Sequence, residues 1–417
     1  MENSTTTLEI ESLAVGGDGV GRVRGKVCFV PFTAPGDVVG VRIVRETKDL
    51  LRAVLVEVER PGPGRREPPC PLAGRCGGCT WLHLDEPVQV EAKASFLGRA
   101  IGRDACEVRR SSRVMGYRRV ARLHFQPKRG GVPSLGFFSP AGHDVIALDR
   151  CPVLDPGLEG AIGPVRDALL AAVDAPVELR LVAGDQGVAV AVDSFRVLPA
   201  AFYASARDLV PGRLAAVAAR VEGVTACVAG PSSVTVEGGD GAPMLVPSSS
   251  FGQANAEVNR ALTSVVAGWA AELGCRRGVE LYSGAGNLTT ALGPHVGALA
   301  AVELDRLACA AARENLDARG LGRVEVRCGD AVALYGELGA RADLVVIDPP
   351  RTGNAELARL LSRGDHRAVI YVSCDPATLR RDLGHLAAGG WAVARAVGFD
   401  MFPQTAHLEA AVLLERA

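Results

Sequence analysis

The sequence predicts a multidomain chain: a small N-terminal β-barrel over residues 1–62, a central α+β domain over 63–245, and a C-terminal doubly wound α/β domain over 246–417. Three observations carry this prediction. Short alternating strands separated by glycine turns fill the first 60 residues. A Pro/Gly-rich linker, PGPGRREPPCP (61–71), then leads into a cluster of cysteines. From about residue 257 onward, strands of buried type alternate with helices. The 48% hydrophobic and 22% charged composition is that of a folded globular chain and excludes wholesale disorder.

The N-terminal strands are TLEIESL (7–13), KVCFVPF (26–32), DVVGVRIVRE (37–46) and LRAVLVEVER (51–60). Turn signals lie between them at Gly16-Gly17-Asp18-Gly19 and Ala34-Pro35-Gly36-Asp37. Such closely spaced short strands suggest a barrel of the OB kind. In the middle of the chain a helix is predicted near 86–102, with strands at RVARLHFQP (119–127), VELRLVAG (177–184) and GVAVAVDSF (187–195). The last part opens with a helix over 257–273. Strands follow at 277–284, 296–305, 342–350 and 366–376, interleaved with helices from 288, over 307–320 and over 377–390. Apolar strands alternating with helices argue for a mostly parallel, doubly wound sheet.

The net charge of −1 hides an asymmetry. Residues 1–150 hold 23 Lys and Arg against 17 Asp and Glu. The stretch 93–129 alone carries eleven basic side chains (Lys93, Arg99, Arg103, Arg109, Arg110, Arg113, Arg118, Arg119, Arg122, Lys128, Arg129) against two acids, Asp104 and Glu107. This is either a solvated surface or a polyanion-binding face. No apolar run reaches the ~18–20 residues of a membrane span, and the segment MENSTTTLEIES is polar and acidic. A cytoplasmic protein is therefore expected, with no membrane partner. A monomer is expected as well.

The eleven cysteines do not suggest a disulfide framework. Cys28, Cys106, Cys227, Cys275, Cys309 and Cys328 are scattered through apolar or mixed segments and are expected to be buried small hydrophobes. Cys70, Cys76, Cys79 and Cys151 stand apart. Five residues separate the first two, two residues the next pair, and Cys151 follows after another 71. The glycine turns of CPLAGRCGGC let three thiolates converge, and four thiolates can hold zinc or an iron–sulfur cluster. Spacing alone does not choose between them.

The strand ending in VELYSGAGNLT carries Gly284 and Gly286, where a tight turn brings backbone and helix N–H groups close to a ligand. A third dinucleotide-type glycine would fall at Thr289, which argues against a hydride cofactor. Seventeen residues after Gly286, at the end of the next strand, Glu303 can accept from ribose hydroxyls. Asp330 follows a further strand, and Asp348-Pro349-Pro350-Arg351 ends another. Glycine turn, ribose acid, later Asp and D-P-P turn, in that order, form the pattern of S-adenosylmethionine (SAM) methyltransferases.

Cys374 in YVSCDPATLRRD falls at a strand's carboxyl end, before a helix opened by Pro376. Helix N–H groups there can lower a thiol pKa. Glu409 stands where the irregular stretch DMFPQTAH gives way to a strand, and in isolation it reads as a surface residue.

Taken in series, FGQAN (251–255), LYSGAGNLT, VIDPPRTG, YVSCDPATLRRD and DMFPQTAHLE resemble the TrmA/RumA-like RNA uracil-5-methyltransferases. The N-terminal GGDGVGR and FVPFTAPGD are similar to a TRAM domain, an RNA-holding barrel. The resemblance runs over essentially the whole chain. It departs at Gly252, where a larger residue is common, and at Ser283, where many relatives carry Cys or a similar small residue.

The resemblance implies that Cys374 is the nucleophile and Glu409 the base. It implies that Gln253, Tyr282, Asn287, Glu303, Asp330 and Asp348 surround the methyl donor SAM and the target base, beside Gly284 and Gly286. It also implies a 4Fe-4S cluster on Cys70, Cys76, Cys79 and Cys151, and RNA as partner, with ribosomal RNA favoured over transfer RNA. The chemistry needs these residue types. Carbon 5 of uracil is too weak a nucleophile to accept a methyl group directly. Thiolate addition at carbon 6 raises electron density at carbon 5, in-line transfer then depends on positioning, and a base removes the carbon-5 proton. The uridine must be flipped out or come from a loop.

Overall fold

The computed structural model describes residues 5–128, 130–140 and 142–417. Strands β1 (Thr6–Leu13), β2 (Gly19–Val23), β3 (Lys26–Val30), β4 (Val38–Glu46) and β5 (Leu50–Arg60) close into a barrel in the order β1-β2-β3-β5-β4. Ile10, Cys28, Val30, Val39 and Val41 fill its interior. Strand β2 has no counterpart among the expected strands. Its sequence GVGRV holds two glycines, because a Cβ at Gly21 would lie 2.4 Å from the Glu9 carbonyl oxygen. The close approach that closes the barrel thus erases the strand signal. Asp37, fully buried, joins barrel to linker. Its carboxylate accepts the N–H groups of Ala34 (2.6 Å) and Gly62 (2.8 Å) and pairs with Arg65 (2.8 Å).

The middle of the chain forms α1 (Glu86–Ile101), β6 (Val108–Arg109), β7 (Val120–Gln126), β8 (Ser134–Phe138), β9 (Val145–Ala147), α2 (Pro156–Pro164), β10 (Val177–Gly184), β11 (Gly187–Ser194), α3 (Ala200–Leu209), β12 (Ala216–Val221), β13 (Val224–Ala229), β14 (Ser233–Glu237) and β15 (Pro243–Pro247). Seven strands make one sheet, β13-β12-β11-β10-β7-β8-β9, and β14 pairs with β15 alone. Leu123, Phe125, Leu179, Leu181 and Val190 point from the sheet into a core shared with Leu158 and Ile162 of α2 and Phe202 of α3.

The remainder comprises α4 (Ala256–Leu273), β16 (Arg277–Leu281), α5 (Asn287–Leu292), β17 (Ala298–Glu303), α6 (Arg306–Asp317), β18 (Glu325–Cys328), α7 (Ala331–Leu338), β19 (Leu344–Ile347), α8 (Ala355–Ser362), β20 (Ala368–Ser373), α9 (Pro376–Ala387), β21 (Trp391–Phe399) and β22 (Glu409–Arg416). The sheet order is β18-β17-β16-β19-β20-β22-β21-β6. Strands β16 to β20 run parallel, and β22 is antiparallel to both its neighbours. The order reverses between β16 and β19, so the ligand crevice of such a sheet opens at their carboxyl ends. Two elements from the stretch 63–245 join this unit. Strand β6 extends the sheet beside β21, and Phe96 and Leu97 of α1 pack with Leu379, Leu383 and Leu386 of α9.

Two expectations need correction. Lys93, counted in the basic stretch, is not on the surface. It is completely buried, its Nζ 2.5 Å from Asp400 Oδ1. Arg129 of that stretch lies outside the described residues. Of the six cysteines expected to be buried, Cys28, Cys275 and Cys309 are, Cys106 is half-buried, and Cys227 and Cys328 are exposed. The two exposed ones sit on β13 and β18, edge strands of their sheets, where one flank has no covering strand. No described helix is long and apolar enough to cross a membrane.

Candidate active site

A cavity opens at the carboxyl ends of β16 and β19. Five of the eight residues expected around the methyl donor line it: Gln253, Tyr282, Gly284, Asn287 and Asp348. Gly284 (φ 57°) and Gly286 (φ 90°) turn the chain through the left-handed region, and Gly286 caps α5. Tyr282 takes the same region (φ 67°), where a bulky residue is strained. Its hydroxyl accepts a hydrogen bond from Asn354 Nδ2 at 2.6 Å. Glu303 stands one step behind the turn. Its Oε2 accepts the Gly284 N–H (2.9 Å) and its Oε1 the Asp305 N–H (2.8 Å), and both oxygens keep lone pairs for a diol. Asp330 does not line the cavity. It is exposed at the head of α7, where Oδ1 accepts the Ala333 N–H at 2.9 Å.

Asn259 and Glu280 are lining residues that the motifs do not single out. Asn259, from α4, exchanges two amide hydrogen bonds with Asn287, 2.9 and 2.8 Å long, and so fixes that side chain's orientation. Glu280 is buried in the middle of β16, and its Oε2 has no hydrogen-bond partner. Burial pushes its carboxyl up to about 8, and the nearby Asp348 and Glu303 charges add to the shift. An acid inside the apolar run of β16 is the signal that could have marked it. At Gly252 an added Cβ would meet Val120 and Val246 at ordinary contact distance, 3.6 Å, so the site has room for the larger residue common there.

The second half of the site comes from strand register. In the antiparallel pair β20/β22, Ser373 faces Ala410. Extending that register by one residue sets Cys374 against Glu409. Glu409 is buried, contrary to its reading in isolation. Burial and the neighbouring Asp348 carboxylate hold it well above the ordinary carboxylate range. Burial and the Glu409 and Asp348 charges push the Cys374 thiol up to about 12, while Arg351 works in the opposite direction. Asp348 itself is pushed to about 7 by burial. The expectation that helix N–H groups lower the thiol pKa does not hold. Asp375, the N-cap of α9, takes the N–H groups of Ala377 and Thr378 on its own Oδ1, both at 2.9 Å. Asp348 lines the cavity and touches the charge balance of Cys374 and Glu409, so it joins the two halves.

Comparison with known proteins fits this geometry. The model of the TRAM domain matches residues 1–56, and that of the tRNA (Uracil-5-)-methyltransferase family matches residues 340–417. The 23S rRNA (uracil(1939)-C(5))-methyltransferase RlmD of Chromohalobacter salexigens is 36% identical over 98% of this chain and 89% of its own. The chain belongs to the RNA uracil-C5-methyltransferase family. A second member of that family, RlmD of Pectobacterium atrosepticum, is 31% identical over 98% of this chain and 93% of its own. The crystal structure of Pyrococcus abyssi tRNA (uracil-54, C5)-methyltransferase in complex with S-adenosyl-L-homocysteine superimposes with a TM-score of 0.75 at 25% identity, covering 99% of this chain and 100% of that one. Family membership places the barrel as a TRAM domain and the C-terminal sheet as the methyltransferase unit.

The four expected metal ligands line one cavity but are not gathered into a metal-binding group among the described residues. Cys70, Cys76, Cys79 and Cys151 all line a second, smaller cavity, with Phe137, Leu148 and Arg150. Burial and the repulsion of the neighbouring thiols push Cys79 up to about 12. Burial, opposed by two backbone N–H groups and reinforced by Cys76, takes Cys151 to about 11. Among the described residues, no three His, Cys, Asp or Glu side chains stand close enough to share one metal ion.

Proposed function

We propose that this protein transfers a methyl group from SAM to carbon 5 of a uridine in RNA, with 23S ribosomal RNA as the favoured substrate. The reading is supported by the β20/β22 register, whose extension by one residue brings Cys374 opposite the buried Glu409, and by the Asp348 charge that bears on both. SAM supplies a methyl group made electrophilic by its sulfonium. The chain's own residues do the rest. Gln253, Tyr282, Asn287 and Glu303 hold and orient the donor. Cys374 adds as its thiolate to carbon 6 of the uracil, the C5–C6 electron pair moving onto the carbon-4 carbonyl as an enolate, and carbon 5 then takes the methyl group as the donor's sulfur–methyl bond breaks and leaves S-adenosylhomocysteine. Once carbon 5 carries the methyl group, the Glu409 carboxylate takes the carbon-5 proton, the electron pair forms the C5–C6 double bond, and the C6–S bond breaks to return the Cys374 thiolate. The high proton affinity that burial gives Glu409 suits a base for a carbon acid.

The test is a trapping assay with SAM and ribosomal RNA fragments containing 5-fluorouridine, read on a denaturing gel. Fluorine leaves no carbon-5 proton for Glu409, so a covalent adduct should accumulate and should vanish in Cys374→Ala. An adduct with transfer RNA in place of ribosomal RNA would keep the chemistry and move the substrate. No adduct with either would count against catalysis.

A 4Fe-4S cluster on Cys70, Cys76, Cys79 and Cys151 belongs to the same reading. Supporting it, all four thiols line one cavity, with no His, Asp or Glu among its lining residues. Bound iron would supply the positive charge that these mutually repelling thiols need in order to ionise. The role fitted to this place is structural, since no step above needs an electron.

A further inference from the structure

The stretch that delivers Glu409 to the site, residues 400–408, has no regular structure of its own. Its shape is set from outside the methyltransferase sheet. The buried Lys93 of α1 reaches Asp400 Oδ1 at 2.5 Å and the Phe402 carbonyl at 3.2 Å. Gln89, one turn earlier on the same helix, accepts the Gln404 N–H on its Oε1 and donates from Nε2 to Gln404 Oε1, both at 2.9 Å. The Trp81 N–H meets the Gln404 carbonyl at 2.9 Å, and the Tyr117 hydroxyl meets the Pro403 carbonyl at 3.0 Å. Gln404 sits within these bonds at φ 71°, an uncommon backbone conformation for a non-glycine residue.

We propose that Lys93 and Gln89 are positioning residues for proton removal: by clamping residues 400–404 they aim the Glu409 carboxylate at carbon 5. The proposal rests on the reading of Glu409 as base. It separates the two halves of the reaction. Addition of Cys374 and methyl transfer draw on β20, β16 and β19, whereas the side-chain hydrogen bonds of Lys93 and Gln89 go to residues 400–404 and to Trp81 and Leu84. Proton removal and release of Cys374 draw on the clamped loop.

The experiment uses the full chain with SAM and unmodified ribosomal RNA that contains the target uridine, comparing Lys93→Met, Gln89→Leu and Glu409→Gln. Each is read three ways: SAM binding by calorimetry, single-turnover methyl transfer, and covalent protein–RNA adduct on a denaturing gel. In Glu409→Gln the methylated adduct should persist. The two clamp variants should show the same persistent adduct in part. Their steady-state turnover should fall by roughly 10- to 100-fold, as for a misplacement on the order of 1 Å, while SAM binding and single-turnover methyl transfer stay close to those of the unaltered protein. Lys93→Met strands the Asp400 charge, and where that variant fails to fold, Gln89→Leu, which strands none, reads the same quantities. Folded clamp variants that slow methyl transfer and turnover equally, with no adduct, would overturn the proposal if Glu409→Gln does trap one. No adduct in Glu409→Gln would instead overturn the assignment of the base, and the proposal with it.

Discussion

The Glu303 carboxylate holds the backbone of Gly284: its Oε2 accepts the Gly284 N–H at 2.9 Å, so the acid expected to bind ribose also shapes the glycine turn. Removing it should act twice, by taking away the diol acceptor and by loosening the turn. Hydrogen bonds to a charged group contribute about 1.5–3 kcal/mol each, so Glu303→Ala should weaken SAM binding roughly 10- to 100-fold. Glu303→Gln keeps one neutral acceptor and should lose less. Calorimetric titration with SAM checks both, and equal affinities for the two variants would argue that Glu303 serves the turn alone.

SAM and its demethylated product should respond differently to pH. Burial raises Asp348 to about 7 and Glu280 to about 8, and both line the cavity. A sulfonium beside them favours their ionised forms and lowers both pKa values. SAM binding should therefore release protons, and its affinity should rise with pH over the window just below about 7 to 8 and level off above it. S-adenosylhomocysteine carries no sulfonium charge and should show a flatter profile. Titrations of both ligands at either end of that window, in buffers of different ionisation enthalpy, measure the effect. Parallel profiles would count against the charge pairing.

Much of the C-terminal unit was legible because its strands are continuous apolar runs whose ends carry the chemistry, as in β19 and β20. The glycine turn, Glu303 and Cys374 follow directly from that pattern. Other parts were not. Strand β12 reads AVAARV, an alanine-rich stretch that suits a helix as well as a strand, and only its pairing with β11 and β13 decides. Lys93 looked like one more surface base because its partner, Asp400, lies 307 residues away. Glu409 looked exposed for the same reason: its burial comes from strand neighbours and from a loop clamped by distant residues. Local pattern shows a strand end, and long-range packing determines what faces it.

The cysteine cavity yields a compositional prediction. Anaerobically purified protein should contain iron and acid-labile sulfide in equal amounts, and Cys79→Ser should lose both. Zinc, or no metal, would contradict the cluster. Trp81, two residues after Cys79, donates its backbone N–H to Gln404 and its indole N–H to the Gly17 carbonyl at 2.9 Å. Loss of the cluster should therefore loosen the contact between barrel and methyltransferase unit, seen as faster proteolysis in the linker over 61–71.

Asp37 offers a test of how the barrel is held. Burial opposes ionisation of its carboxyl, but the Arg65 guanidinium and the Gly62 and Ala34 N–H groups outweigh it and hold the pKa below the ordinary value. A carboxyl with a depressed folded pKa contributes stability that is present above its unfolded value, about 3.9, and is lost as pH falls through the folded one. The barrel should therefore loosen from its linker below about pH 4, with Asp37 as one cause. Asp37→Ala removes the acceptor of two backbone N–H groups and leaves Arg65 without its partner, and breaking such a buried pair costs about 3–5 kcal/mol. Asp37→Asn keeps the shape but not the charge, and should fall between. Limited proteolysis of the barrel across pH 3 to 7 in the three proteins checks the order. In Asp37→Asn the acid-induced step should shrink, because the group that titrates is gone, and an unchanged step would assign the acid sensitivity to other carboxylates.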